Sequence, residues 1–287
     1  MGRLTTADGR ALTYERRGSG PLLVCHPGGP GFSSRYLADL AGLDRDLELL
    51  LLDPRGTGNS DPAPAPAGYA IDDYASDLEE LREHLGLERM LLLGHSHGGV
   101  AAIAYAARHP DRVERLILAS TFARHGPEQE AAMQAALEKR KGEPWYADAH
   151  EALETELAGE FQDGRELMDI CLRMMPFYYA HYGERERAHV ESLADDELCV
   201  DATRLWEKEI FERFDLRPQL PRLTMPTLVI TGEEDFITGP VPAAELVEGI
   251  PAPETVTLRG AGHMIFVEAP EPFREAVLSF LGAGVRA

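Results

Sequence analysis

Five short, nearly unbroken apolar runs constrain this chain more than any other feature. They are LLVCHP (Leu22 to Pro27), LELLLLD (Leu47 to Asp53), MLLLG (Met90 to Gly94), VERLILAS (Val113 to Ser120) and TLVITG (Thr227 to Gly232). A strand packed on one face alternates apolar and polar residues. A strand covered on both faces is apolar throughout, the condition of a parallel sheet lying between two layers of helices. The segments between the runs have helical period: Ile71, Tyr74, Ala75, Leu78, Leu81 and Leu85 share one face. Val100 to Arg108 and Glu271 to Leu281 read as helices in the same way. Alternation of this kind implies right-handed crossovers and an α/β fold with a mostly parallel, doubly wound sheet. Arg3–Thr6 and Leu12–Glu15, joined at Asp8-Gly9, predict an antiparallel hairpin at the sheet edge.

The rhythm stops between Thr121 and Leu220. EQEAAMQAALEKRK and HEALETELAGEF are made of helix formers, no strand pattern appears, and the stretch holds 12 basic against 23 acidic residues. Pro218 and Pro221 mark the return to the sheet. The expected organisation is a core of residues 1–120 and 221–287 with a helical cap, residues 121–220, inserted after the sixth core strand. Hydrophobic residues make up 44% of the chain, enough for a large core, and the net charge is −21. That charge opposes binding to nucleic acid or to an anionic membrane. Cys25, Cys171 and Cys199 form no CxxC pair, which argues against a disulfide framework and for a reducing compartment. The opening segment has no apolar core of a signal peptide, and no apolar run reaches the ~20 residues of a membrane span. A cytoplasmic protein is expected, acting on a small-molecule or short-peptide substrate. No phosphate loop or metal-ligand pattern is present, so neither cofactor nor metal is expected. Oligomeric state is not legible.

Chemistry concentrates in three places. Gly94-His95-Ser96-His97-Gly98 is a G-x-S-x-G between a predicted strand and a predicted helix, the context that separates a nucleophile turn from a chance glycine-rich one. Serine at its ordinary pKa is a poor nucleophile and needs a base. Of the ten histidines, His263 stands in a small-residue turn, RGAGHM, after a predicted strand and before the last helix. His84 and His109 belong to helices or their ends. His125, His150, His181 and His189 fit a polar face of the cap, and His95 and His97 should point away from their neighbour on a tight turn. The acid that orients the base should follow another strand, where TLVITGEEDFITGP offers Glu233, Glu234 and Asp235. Asp235 has the reach; the other two suit a turn cap or solvent. Ala119 to Thr121, after the sixth strand, holds no acid. Finally, HPGGPG (His26 to Gly31) follows the third strand, where acyl transfer needs backbone N–H donors, and Gly29 and His97 are the candidates for an oxyanion hole.

Taken together, HPGGPG, DPRGTGNSD (Asp53–Asp61), GHSHGG (Gly94–Gly99), GEEDFITGP (Gly232–Pro240) and GAGH (Gly260–His263) resemble the proline iminopeptidases and related serine peptidases of the α/β-hydrolase fold. The likeness covers nearly all the core and not the cap. Family members read HGGPG, DQRGxGxS and GxSWGG; here Pro27, Pro54 and His97 replace the histidine, glutamine and tryptophan. The resemblance implies a triad of Ser96, Asp235 and His263, in the chain order of that fold. It also implies an acidic anchor for the free α-amine of an N-terminal residue. In some relatives one such acid directly follows the catalytic aspartate, where this chain has Phe236. Glu207, in LWEKEIFERFD, is then the candidate anchor, although an exposed helix charge explains it equally well. Met174, Met175, Phe177, Tyr178, Tyr179 and Tyr182 could line an acyl pocket or simply pack the cap. The function implied is an aminopeptidase working through an acyl-enzyme. A carboxylesterase or lactonase with the same triad is the alternative, and a ligand receptor with little turnover ranks below both. Epoxide and haloalkane hydrolysis are disfavoured because they need an aspartate where Ser96 stands.

Overall fold

The apolar runs form the centre of an eight-stranded sheet. A computed structural model describes residues 1–282. The strands are β1 (Gly2–Thr5), β2 (Ala11–Gly18), β3 (Leu22–His26), β4 (Glu48–Asp53), β5 (Met90–His95), β6 (Val113–Ala119), β7 (Thr227–Gly232) and β8 (Glu254–Leu258). Their spatial order is β1-β2-β4-β3-β5-β6-β7-β8. β1 and β2 form the expected hairpin, and β2 continues antiparallel along β4; every later pairing is parallel.

Between the strands run α1 (Ile71–His84), α2 (His97–Arg108), α3 (Pro127–Lys139), α4 (Tyr146–Ala158), α5 (Gly164–Met174), α6 (Glu184–Glu191), α7 (Val200–Leu205), α8 (Pro240–Gly249), α9 (Ile265–Glu268) and α10 (Pro270–Leu281). Two apolar layers explain the unbroken runs. Leu50 and Leu52 of β4 pack with α1, α2 and α8 on one face, through Leu78, Val100, Ile103 and Leu246. Leu49 and Leu51 pack with α9 and α10 on the other, through Ile265, Phe273 and Val277. Each side chain buried in this way stabilises the fold by about 1.5–3 kcal/mol, so a polar residue at any of the four positions is costly.

The segment between β6 and β7 contains α3 to α7 and no named strand. Its two ends meet in a single antiparallel bridge between Arg124 and Asp215. After α7 the chain enters a π-helical turn, Trp206–Ile210. Such turns often mark functional positions.

The strand order also locates a crevice. From β3 the chain passes to β4 on one side and then to β5 on the other, so the loops after β3 and β5 diverge at their carboxyl ends. A doubly wound sheet binds ligands at such a switch point.

Candidate active site

Ser96 occupies that switch point. It is the single residue between β5 and α2, with φ 56° and ψ −125°, a conformation few non-glycine residues adopt. Close packing holds it there. A Cβ on Gly98 would sit 2.3 Å from the His26 carbonyl oxygen, and one on Gly28 would sit 2.6 Å from Ser96 Cβ. The loop after β3 and the turn after β5 therefore press together with no room for side chains. Hydrogen bonds from Ser96 N–H to the Ala119 carbonyl (3.0 Å) and from Thr121 Oγ1 to the Ser96 carbonyl (2.7 Å) fix the turn to the end of β6.

His263 stands on the loop between β8 and α9, 2% exposed, and its Nδ1–H donates to Asp235 Oδ2 at 2.9 Å. Nε2 is left with its lone pair free, the form a general base requires. Asp235 accepts further bonds at Oδ1 from the Ile237 and Thr238 amides (3.0 and 2.9 Å) and at Oδ2 from the Thr238 hydroxyl (2.6 Å). Burial would push its pKa up, but the electrostatic attraction and hydrogen bond of His263 and the Thr238 donors outweigh burial and hold it down at about 2. Asp235 thus stays ionised. Ser96 and His263 border one cavity.

Gly29 and His97 border the same cavity as Ser96. His97 begins α2, where a backbone N–H lacks an intrahelical partner. Neither its amide nor that of Gly29 donates to another described residue. Two free donors and a helix N-terminus beside a hydroxyl are what a developing oxyanion needs.

The remaining candidates divide. Tyr178, Glu207 and Phe236 line the cavity together with Met174 and Met175. Phe177, Tyr179 and Tyr182 do not; Phe177 packs against Phe236 from behind, and the Tyr179 hydroxyl bonds His189. Glu233 caps a turn by accepting from the Gly260 amide (3.1 Å), and Glu234 lies 3.8 Å from Lys139. His95 and His97 both border the cavity; the His95 ring bonds the Tyr36 hydroxyl and the His263 carbonyl, the His97 ring packs against Tyr74 and Trp206, and burial lowers the pKa of each to about 3. His189 is not on a polar face but is largely buried between Tyr179 and the Tyr36 carbonyl.

Sequence reasoning missed Glu156. It lies 8% exposed on α4, on the face of Ala149 and Ala152, and borders the cavity opposite Glu207. An acid at that position of an apolar helix face was the available signal. Neither carboxyl has a cationic partner among the described residues. Burial pushes Glu156 up to about 7; burial and the neighbouring Glu156 charge push Glu207 up to about 8. Away from Ser96, His95, His97, Thr203 and His263 the wall is mostly apolar, including Phe32, Phe122, Leu153, Trp206 and Phe211. Thr238 was also missed, though Asp235-Phe236-Ile237-Thr238 has the spacing of an aspartate turn closed by a threonine.

A family model described as alpha/beta hydrolase fold matches residues 21–270. The "Putative carbamate hydrolase RutD" of Pseudomonas savastanoi pv. phaseolicola is 30% identical over 273 residues, covering 92% of this chain and 94% of that protein. The "Proline iminopeptidase" of Saccharolobus solfataricus is 28% identical, covering 93% of this chain and 87% of that one. Among solved structures, the enol-lactonase from Burkholderia xenovorans superposes with a TM-score of 0.72 at 28% identity, over 98% of this chain and 100% of its own.

Proposed function

Because this chain belongs to the alpha/beta hydrolase fold family, we propose that it is a serine hydrolase that works through an acyl-enzyme, and that its preferred acyl group carries a free amine. Ser96 is the nucleophile. His263 Nε2 takes the serine proton as Oγ attacks the substrate carbonyl, and Asp235 holds the imidazole in the required tautomer and offsets its developing charge. The oxyanion forms against the Gly29 and His97 amides. His263 then returns the proton to the leaving group, and a water repeats the sequence to release the acid. The buried carboxyl and imidazole beside Ser96 support this mechanism.

One observation carries the choice of substrate: two carboxyls, Glu156 and Glu207, face one apolar cavity without cationic partners. A protonated amine supplies the missing charge, as the N-terminal group of a peptide or aminoacyl amide does, and in such a site the pair is far stronger than in water. This favours a proline iminopeptidase-like aminopeptidase. The second reading is an esterase or lactonase. It is favoured by Phe236 in the wall and by the raised pKa values, which leave the two carboxyls only partly ionised near pH 7.

A panel of proline arylamide, other aminoacyl arylamides, N-acetylprolyl arylamide and p-nitrophenyl esters separates the two. The amine reading expects cleavage of the free aminoacyl arylamides and poor turnover of the acetylated one. Good turnover of esters alone replaces it with the second reading. Labelling by a serine-directed fluorophosphonate anywhere but Ser96, or a Ser96→Ala variant that retains activity, removes the mechanism itself.

A further inference from the structure

His95 and Tyr36 lie outside the triad and the oxyanion donors, yet a chain of hydrogen bonds through them joins both. The Gly28 amide donates to the Tyr36 hydroxyl at 2.5 Å, that hydroxyl lies 2.8 Å from His95 Nδ1, and His95 Nε2 lies 3.1 Å from the backbone carbonyl of His263. The donors can be assigned without seeing hydrogens. A carbonyl only accepts, so His95 Nε2 carries the proton; the neutral ring then accepts at Nδ1, and the tyrosine donates there. Burial, which drives the His95 pKa down to about 3, keeps the ring neutral. The same burial pushes the Tyr36 pKa up and keeps its proton in place. Both side chains are almost fully buried, so removing either leaves its neighbours in the chain without a partner and with no water to replace it.

The rings add packing to the hydrogen bonds. His95 lies 4.8 Å from His263 and 5.3 Å from Phe266, centroid to centroid, and Tyr36 packs against both His95 and Phe266. Gly28 in turn abuts Ser96 Cβ.

We infer that His95, held by Tyr36, is a positioning residue: it sets the spacing between the loop carrying the base and the loop carrying the oxyanion donors. The inference rests on reading Ser96 and His263 as nucleophile and base. The residue before the nucleophile acts here through the backbone of His263 and by packing against its ring. Attack requires Ser96 Oγ, His263 Nε2 and the Gly29 amide in register, and misplacement by about 1 Å costs up to ~100-fold in rate. Loss of the chain should therefore appear in kcat and leave substrate binding nearly intact.

The test uses p-nitrophenyl acetate and counts sites by the stoichiometry of fluorophosphonate labelling, so that poorly folded protein does not lower the rate per site. Tyr36→Phe removes one oxygen, and His95→Phe removes both ring bonds. Each should lower kcat per labelled serine by about 10–100-fold with KM within about threefold. The double variant should be no worse than the weaker single by more than about threefold, because one chain broken twice is still one broken chain. His95→Gln retains a donor near the Nε2 position and should recover a large part of the loss. If His95→Phe does not fold, Tyr36→Phe decides alone. A kcat per site within about twofold of wild type in Tyr36→Phe overturns the inference, as do single losses that multiply in the double variant. A wild-type protein whose label is not on Ser96 overturns the hydrolase reading instead, an outcome that the same experiment shows separately.

Discussion

Replacing Glu207 by glutamine should separate an amine-binding pocket from a merely acidic one, and the structure says how the effect depends on pH. The two cavity carboxyls are raised from an ordinary value of 4.5 to about 7 and about 8. Their charged forms are therefore present at high pH and lost as pH falls through that window. The α-amine of a substrate behaves oppositely, holding its proton below about 8 and losing it above. Productive pairing needs one proton fewer on the pocket or one more on the amine, so affinity peaks where both conditions meet, near pH 7–8. The useful quantity is kcat/KM for proline arylamide divided by kcat/KM for a neutral p-nitrophenyl ester, since ionisations common to both substrates cancel. From pH 7 to pH 5 the ionised fraction of the more acidic carboxyl falls from about one half to about one hundredth, so this ratio should fall roughly 50-fold. It should fall again, about tenfold per unit, above pH 8 as the amine deprotonates. In Glu207→Gln a charge-assisted bond of about 1.5–3 kcal/mol is lost. That predicts a drop of roughly 10–150-fold for the arylamide and under about twofold for the ester. A ratio that stays flat from pH 5 to pH 8, or an equal loss on both substrates, would refute the reasoning.

Three further outcomes follow from the geometry. Asp235→Asn should fold normally and lose about 10⁴-fold in kcat in steady-state assays, while Glu234→Gln stays near wild type; the reverse ranking would reassign the acid. Thr238→Val strips a buried donor from Asp235 and should cost about 1–3 kcal/mol in thermal or denaturant unfolding and roughly tenfold in kcat. Glu156→Gln should raise Tm by about 3–10 °C at pH 8.5 and by much less at pH 4.5, measured by calorimetry. The sign follows from a carboxyl raised to about 7, whose contribution to stability is complete below 4.5 and lost as pH rises through 7.

The sheet was legible because burial on both faces leaves an unbroken apolar signature, as in Leu49–Leu52, and a structure cannot hide it. Even the edge hairpin was marked, by Asp8-Gly9. The proposed nucleophile and base, Ser96 and His263, could be picked out because glycines and small residues crowd around them, and the proposed acid, Asp235, because a strand end supplies the reach. The pocket was harder. Glu156 and Glu207 lie 51 positions apart and border one cavity only in the folded chain, which no local period encodes. The partners of His95 were hidden in the same way: its ring bonds the Tyr36 hydroxyl and the His263 carbonyl, 59 and 168 positions away.

The backbone of the base loop is tied to the helical insertion. The His263 amide donates to the Tyr178 carbonyl at 2.8 Å, and Glu268 accepts from the amides of Gly262, Ala180 and His181 at 2.6 to 3.2 Å. This makes the insertion a poor candidate for free exchange. A chimera that imports another relative's helices between β6 and β7 would keep Ser96, Asp235 and His263 and still lose the outer brace of the histidine loop. It would regain that brace only if the graft presented a carbonyl and two amides where residues 178, 180 and 181 now present them. Specificity in this chain is therefore best redesigned by substituting the cavity-facing residues of α4 and of the turn after α7 while keeping the backbone of residues 178–181.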